Sequence, residues 1–308
     1  MQRLALAPET IEEGLNEVFF QGMAAGTTPG MAMLSDVFNE FNSSKNNEDD
    51  LSLASVGEFE EKGEVSNIPE DYEAEKYKTT YVHSEFSNSI PVSFAALDDQ
   101  LYGVIRDRVG RLGRAARHTQ MNKGFSVLRN ANSASFVGAD GVPLISASHP
   151  TDSGTQSNVI SSDLSLGALE TAIQMLTEQT DYRGLLVTQA PSTLVVSSAR
   201  FALATKLLET EKEPGTANNT INFVSKVFPG IKVVHTPYIG AKFGGDDDNW
   251  FLLSNDTKLK RFIRRPLMTW MTDYTLTRNM QSFYNAYYRE SVGWSDYIGV
   301  IGGGAHMS

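Results

Sequence analysis

Phe86–Ala116 reads FSNSIPVSFAALDDQLYGVIRDRVGRLGRAA, and the change of texture inside it decides the fold. Its first residues continue KTTYVHSEF (Lys78–Phe86), a β-branched and aromatic run with the composition of a strand. From Phe94 the period changes. Leu97, Leu101, Val104, Ile105, Val109, Leu112 and Ala116 gather on one face at about 100° per residue, the signature of an amphipathic helix. Arg106, Arg111, Arg114 and Arg117 fall mainly on the other side, while Arg108 lies within the apolar sector. Beyond His118 the apolar positions Met121, Phe125 and Leu128 rotate to a new face, which predicts a kink or break, with Gly110, Gly113 and Gly124 as candidate causes. Unbroken to Ala131, such a helix would be on the order of 50 Å long, a strut longer than a small domain is wide.

Outward from the strut, the N-terminal side is poor in core-forming residues. Pro8–Gln21 has helical spacing at Ile11, Leu15, Val18 and Phe19, with Pro8 suited to the first turn. AAGTTPG then breaks the chain, Met31–Phe41 reads as a second short helix, and Ser43–Asp50 as a polar loop. Glu58–Phe86 is charged, with turn formers at Gly63, Asn67, Pro69 and Asp71, and predicts a long two-stranded hairpin. A hairpin this polar has little to bury in its own chain, so it and the N-terminal arm are expected to lie against a neighbouring copy.

On the C-terminal side, helices and strands alternate. Leu164–Thr180 is amphipathic, Gly184–Thr188 and Ser192–Val196 read as strands, and Ala199–Glu209 as a helix with Phe201, Ala204, Leu207 and Leu208 inward. After a polar loop (Glu211–Thr220) come strands at Ile231–His235 and Trp250–Leu253, then Leu259–Ile263, Leu267–Tyr274 and Phe283–Trp294. Gly302–Gly304 reads as a flexible tail.

The chain has 308 residues, 41% hydrophobic, enough for one large or two modest cores. Lys plus Arg number 26 and Asp plus Glu 37, for a net charge of -11, which argues against a protein whose main task is to wrap nucleic acid. There is no cysteine, so disulfides, thiolate metal sites and cysteine nucleophiles are excluded. No apolar run approaches the ~20 residues of a membrane span, and the N-terminus lacks the pattern of a secretory leader.

Signals of chemistry are close to empty. His83, His118, His149, His235 and His306 sit in no metal-binding spacing, and Asp246, Asp247 and Asp248 are consecutive where a calcium loop alternates its ligands. Phosphate-loop and serine-elbow motifs are missing. No catalytic, cofactor-binding or metal residue is nominated, and no cofactor. Two basic runs remain, Arg106–Arg117 and Lys258, Lys260, Arg261, Arg264 and Arg265. The first reads as a solvated face, or one that meets acidic segments such as Glu58–Glu64 or packaged DNA. The second reads as a strand with one basic face that could pair with acids across an interface.

The order arm, hairpin, strut helix, α/β block and return strands is similar to the Hong Kong 97-type capsid fold, an α+β architecture. Phe86–Ala116, with Asp98, Asp99 and Gly103, resembles the start of the spine helix in Mu-like major head subunits. PLISASHP (Pro143–Pro150) followed by Asn158 resembles that family's His-Pro turn, and PSTLVVSSARFALATKLLET (Pro191–Thr210) its axial-domain strand-to-helix step. IKVVHTPYIG and NWFLLSN follow in the expected order.

The resemblance implies an N-terminal arm at 1–57, an extended loop at 58–90, the spine helix and first part of a peripheral domain at 91–160, an axial domain at 161–256, and return strands with a tail at 257–308. It implies a major capsid protein, not an enzyme, that assembles as hexamers and pentamers into the icosahedral shell of a tailed phage, located in the virion and assembled in the host cytoplasm. Its implied partners are copies of itself, a separate scaffolding protein, a portal, a decoration protein and, weakly and without sequence specificity, packaged DNA; no membrane. Two other readings stay open: an encapsulin-like cellular nanocompartment, and a metal-dependent enzyme using His235 with Asp246–Asp248.

Overall fold

The computed structural model describes residues 8–54, 56–59, 61–62, 68, 70–72, 74–93, 95–96, 99, 102–152, 154–210, 212, 221–273 and 281–307. Gly63, Asn67 and Pro69 of the expected hairpin turn, Phe94, Leu97, Asp98 and Leu101 of the expected helix start, and Pro214 and Gly215 of the polar loop lie outside them.

The chain opens with α1 (Pro8–Ala24). Leu15 and Phe19 are buried against the strut helix, among Val109, Leu112 and Tyr284. This part of the arm therefore docks on its own chain. The cause is local. Gly110 and Gly113 let the two helix backbones approach, and a Cβ on Gly113 would run into the Phe19 carbonyl, as one on Gly22 would into that of Gly110. These glycines are a docking face, not the breaks read from sequence.

Met31–Phe41 is not a helix. Gly30 and Ala32 exchange main-chain bonds with His235 at 2.8 Å each, Leu34–Asp36 makes a single 3-10 turn, and β1 (Asn39–Asn42) follows. Pairing with strands already in place outweighs the local helical spacing. Likewise the expected loop at Ser43–Asp50 enters a strand, β2 (Asn47–Ala54), paired antiparallel with β3 (Ala74–Val82). Its charges are met across the ladder, Asp49 by Lys78 at 2.8 Å and by Thr80 at 2.6 Å. KTTYVHSEF, read as one strand, is divided at His83. β3 leaves for the hairpin, and β4 (Ser84–Ser93) joins a sheet.

The strut is α2 (Tyr102–Gly124), unbroken through Gly110 and Gly113, and roughly 35 Å long. The turn expected after it comes at Phe125, where Leu34 packs onto Gly124, and α3 (Ser126–Arg129) leads away.

A short hairpin, β5 (His149–Thr151) with β6 (Gly154–Gln156), precedes β7 (Val159–Ile160) and α4 (Leu166–Thr177). Ser165 caps α4 by accepting the Ala168 N–H at 3.2 Å. Then follow β8 (Pro191–Ser197), α5 (Phe201–Glu209), α6 (Phe223–Val227), β9 (Lys232–Thr236) and β10 (Trp250–Ser254). Gly184–Thr188, expected as a strand, makes only an isolated bridge from Leu186 to Thr180. Asp181 instead gathers the N–H groups of Arg183 and Leu185 into a turn.

The chain closes with β11 (Leu259–Met271), β12 (Gln281–Trp294) and β13 (Val300–Gly303). The two strands predicted around Pro266 are one, with register shifts on either side of Arg265. β1, β11, β12 and β4 form a four-stranded sheet against which α1 and α2 pack. β7, β13, β10, β8 and β9 form a five-stranded sheet whose Leu194, Val196, Trp250 and Leu252 meet α4 and α5. The expected flexible tail is a correction. Gly302 and Gly303 lie inside the second sheet, pressed on Ile145 and on the Trp250 ring with no room for a Cβ, and Met307 is buried.

Candidate assembly surfaces

The β2–β3 hairpin is anchored at its base and exposed beyond it. Tyr81 is buried, its ring edge-on to Phe262 at 4.8 Å and its phenol 2.6 Å from Ser295 Oγ, and burial pushes that phenol up from its ordinary pKa. Tyr77 meets Tyr182 edge-on at 5.4 Å, and Lys76 donates to Asp152 at 2.6 Å. The base thus buries more in its own chain than its sequence suggests. Past Ala54 the chain carries apolar groups into solvent: Phe59 is fully exposed, Ile68 is 77% exposed and Tyr72 74%. Exposed carboxylates stand among them at Glu58, Glu61 and Glu70. Asp71 pins this end to the body, accepting from the Gly57 N–H at 2.5 Å and from Arg183 at 2.8 Å, and both bonds hold its carboxyl below the usual range.

The outer face of α2 presents Arg106, Arg108, Arg111 and Arg114 to solvent. Arg108, placed in the apolar sector from sequence, is exposed, and so is Val104, at 53%. Arg111 pairs with Asp107 one turn earlier at 2.7 Å. Arg117 turns inward to the Met23 carbonyl at 3.0 Å, tying the end of α1 to the strut.

Most of the second basic run is answered within the chain. Lys258 meets Asp256 at 2.9 Å, Lys260 meets Asp50 at 2.5 Å, and Arg261 bridges Glu290 and Glu40 at 2.5 Å each. Arg264 and Arg265 stand apart from that set.

The candidate metal cluster disperses. Asp247 accepts the Ala241 N–H at 3.1 Å, Asp248 pairs with Arg200, and Asp246 accepts the Asp248 N–H at 3.0 Å. His235 lies against the Phe201 ring with Nδ1 3.1 Å from Ser198 Oγ. Among the described residues no three His, Asp or Glu side chains are placed to hold a metal ion.

One buried polar cluster went unread as a unit. His149, 1% exposed, stacks on Tyr297 at 3.8 Å, with Nδ1 2.8 Å from Asp140 and Nε2 3.2 Å from Asn158. Asn158 accepts the Ser146 N–H and donates to the Leu144 carbonyl, both at 2.8 Å, and to that of Val300 at 3.2 Å. Nearby, burial raises Asp296 to about 6, against hydrogen bonds from the Ile298 N–H and Tyr182. The sequence marks were the His-Pro dipeptide and the Asn nine positions after that His, and the fold brings them into contact. With every nitrogen of this cluster directed at a protein acceptor, it joins the β5–β6 segment to β13 and leaves no group facing a substrate.

No described helix is long and apolar enough to cross a membrane. No curated protein matches the sequence. Three solved structures have similar folds. One is a virus-like particle from Pyrococcus furiosus (TM-score 0.54, 11% identity, covering 94% of this chain and 98% of that one). The others come from Mycobacterium phage Adephagia (0.53, 16%, 97% and 97%) and Mycobacterium phage Bobi (0.53, 13%, 91% and 92%). At these identities the likeness establishes the fold, the Hong Kong 97-type α+β capsid fold. The family model described as phage capsid protein matches residues 76–302, well over half of the chain, which therefore belongs to the phage capsid protein family.

Proposed function

We propose that this subunit is the major head protein of a tailed phage, closing as hexamers and pentamers into an icosahedral shell around a double-stranded DNA genome. The observation that carries the reading is the hairpin, firmly based on its own body yet ending in an exposed Phe59, Ile68 and Tyr72. Large apolar groups left exposed on one element mark a surface meant for a partner. A stable pairwise interface typically buries roughly 1,200–2,000 Å², which a reaching hairpin helps to accumulate. Several such contacts per subunit then act together.

In this reading the five-stranded sheet with α4 and α5 is the axial domain, and α2 with the four-stranded sheet is the peripheral one. Within the 1–57 segment, α1 serves less as a free arm than as a brace, because it lies on α2. The role is structural and not catalytic. Assembly takes place in the host cytoplasm with a scaffolding protein and a portal, a decoration protein binding outside. Contact with packaged DNA is weak, in keeping with the net charge of -11. The family match favours a phage head over a cellular compartment.

Deleting Glu61–Glu75 tests the reading. The variant is expected to keep its circular dichroism and melt cooperatively but to form no shells under negative-stain electron microscopy. Normal particles from it would end the proposal.

A further inference from the structure

The register of β11 on β12 contains an unusual concentration of charge. Ile263 lies opposite Glu290 and Arg265 opposite Arg289, so two residues of one strand, Arg264 and Arg265, face a single residue of the other. This is a β-bulge, and it sets three arginines at one step of the ladder. Like charges opposed across a sheet destabilise it.

Little in the chain answers them. The Nε of Arg264 is buried without an acceptor among the described residues, as is that of Arg289. Arg289 reaches Asn46 Oδ1 at 2.9 Å and stands 3.7 Å from Glu85. Of the other acids nearby, Glu48 accepts from Ser43 and pairs with Lys45 at 3.2 Å, and Glu290 is engaged by Arg261. His83, enclosed between Ser43 and Ser291, has its pKa lowered by burial and then by Arg289 and Arg264, so the positive field reaches it too. A half-buried guanidinium without an acceptor leaves donors unsatisfied that a carboxylate would pair at once.

The matching charge is at the other end of the same hairpin. Arg289 bonds Asn46, next to the Asn47–Val82 pair at the hairpin base. Glu58, Glu61 and Glu70 lie past the Ala54–Ala74 pair at its far end. An eight-residue strand separates them by on the order of 25 Å. Asp71 on Arg183 holds the far end in place, so one chain cannot bring its own carboxylates to its own bulge. Copies laid head to tail can. A contact between two different surfaces repeats around a ring, which is the geometry a capsomer needs.

We propose that the Arg264–Arg265–Arg289 bulge is the socket for the carboxylates at the hairpin end of a second copy of this chain. This rests on the reading that the hairpin bridges copies. The absence of cysteine allows a direct test. Glu61→Cys and Arg265→Cys subunits, co-assembled and treated with a short bismaleimide, should give a covalent dimer that neither variant gives alone. Arg264→Gln/Arg265→Gln, folded by circular dichroism, should need about tenfold more protein to form shells, the shift expected for a loss of one strong charge-assisted contact. The proposal is overturned if that variant assembles at the wild-type concentration, or if no mixed dimer forms, while the hairpin deletion still abolishes shells. Wild-type assembly of the arginine variant with weakened retention on a DNA column would assign the bulge to phosphate and also overturn it. Normal shells from the deletion variant would instead remove the bridging reading itself.

Discussion

Asp296 shows how much a single side chain can contribute to the pH response of the fold. Burial raises its carboxyl from the ordinary 3.8 to about 6. The folded state therefore holds a proton that the unfolded chain has released between about pH 4 and 6. In that window stability falls as pH rises, and above it the penalty is fully present, about 2–3 kcal/mol at ~1.4 kcal/mol per unit. Asp71, Asp49 and Glu48 are shifted downwards and act in the opposite direction on acidification. Asp296→Asn is expected to raise the thermal midpoint at pH 7.5 and to leave it almost unchanged at pH 4. Equal midpoints at pH 7.5 would show that the buried charge carries no such cost. Little of this is legible in the sequence, where Asp296 is one acid among 37. His149 and Asn158 were marked only as parts of a resembling His-Pro turn, not as partners, and Asp140, which completes the cluster, carried no signal.

At the scale of elements, periodicity was a good guide wherever one face of an element meets a core. α4, α5, β8, β9 and β10 lie close to where the apolar spacing places them. It failed where a distant partner decides the outcome. Met31–Phe41 has helical spacing, yet its backbone pairs with β9 and β11. Gly110 and Gly113 look like weak points in a helix because their use, admitting the backbone of α1, is invisible until α1 is in place. Two of the bases that looked like interface charges, Lys260 and Arg261, find Asp50 and Glu40 across more than 200 residues of their own chain. Gly113→Val tests the docking face. It should cost about 1–3 kcal/mol through overpacking and expose α1 to limited proteolysis while α2 stays helical. A variant whose α1 remains protected would show that the close approach is dispensable.

For the whole molecule, the fold class was readable because the order of textures is unusual: strand into strut, then an alternating block, then long return strands. The C-terminal end was misread because a run of glycines normally signals freedom, and here it signals confinement beneath Trp250 and Ile145. Removing residues 300–308 should therefore not trim a tail. It takes β13 from between β7 and β10, and the truncated chain is expected to be insoluble or to lose its cooperative melt. A soluble, cooperatively melting product would contradict the position of β13.

That position also bears on timing. Because β13, the most C-terminal strand described, sits second in its sheet, β10 has no neighbour on that flank until residue 303 has been translated. Subunits caught mid-synthesis would present an unfinished edge, and a ribosome-bound chain could not yet offer the finished body from which a lattice grows. Synthesis of β13 and completion of the sheet that the body needs are thus coupled by topology.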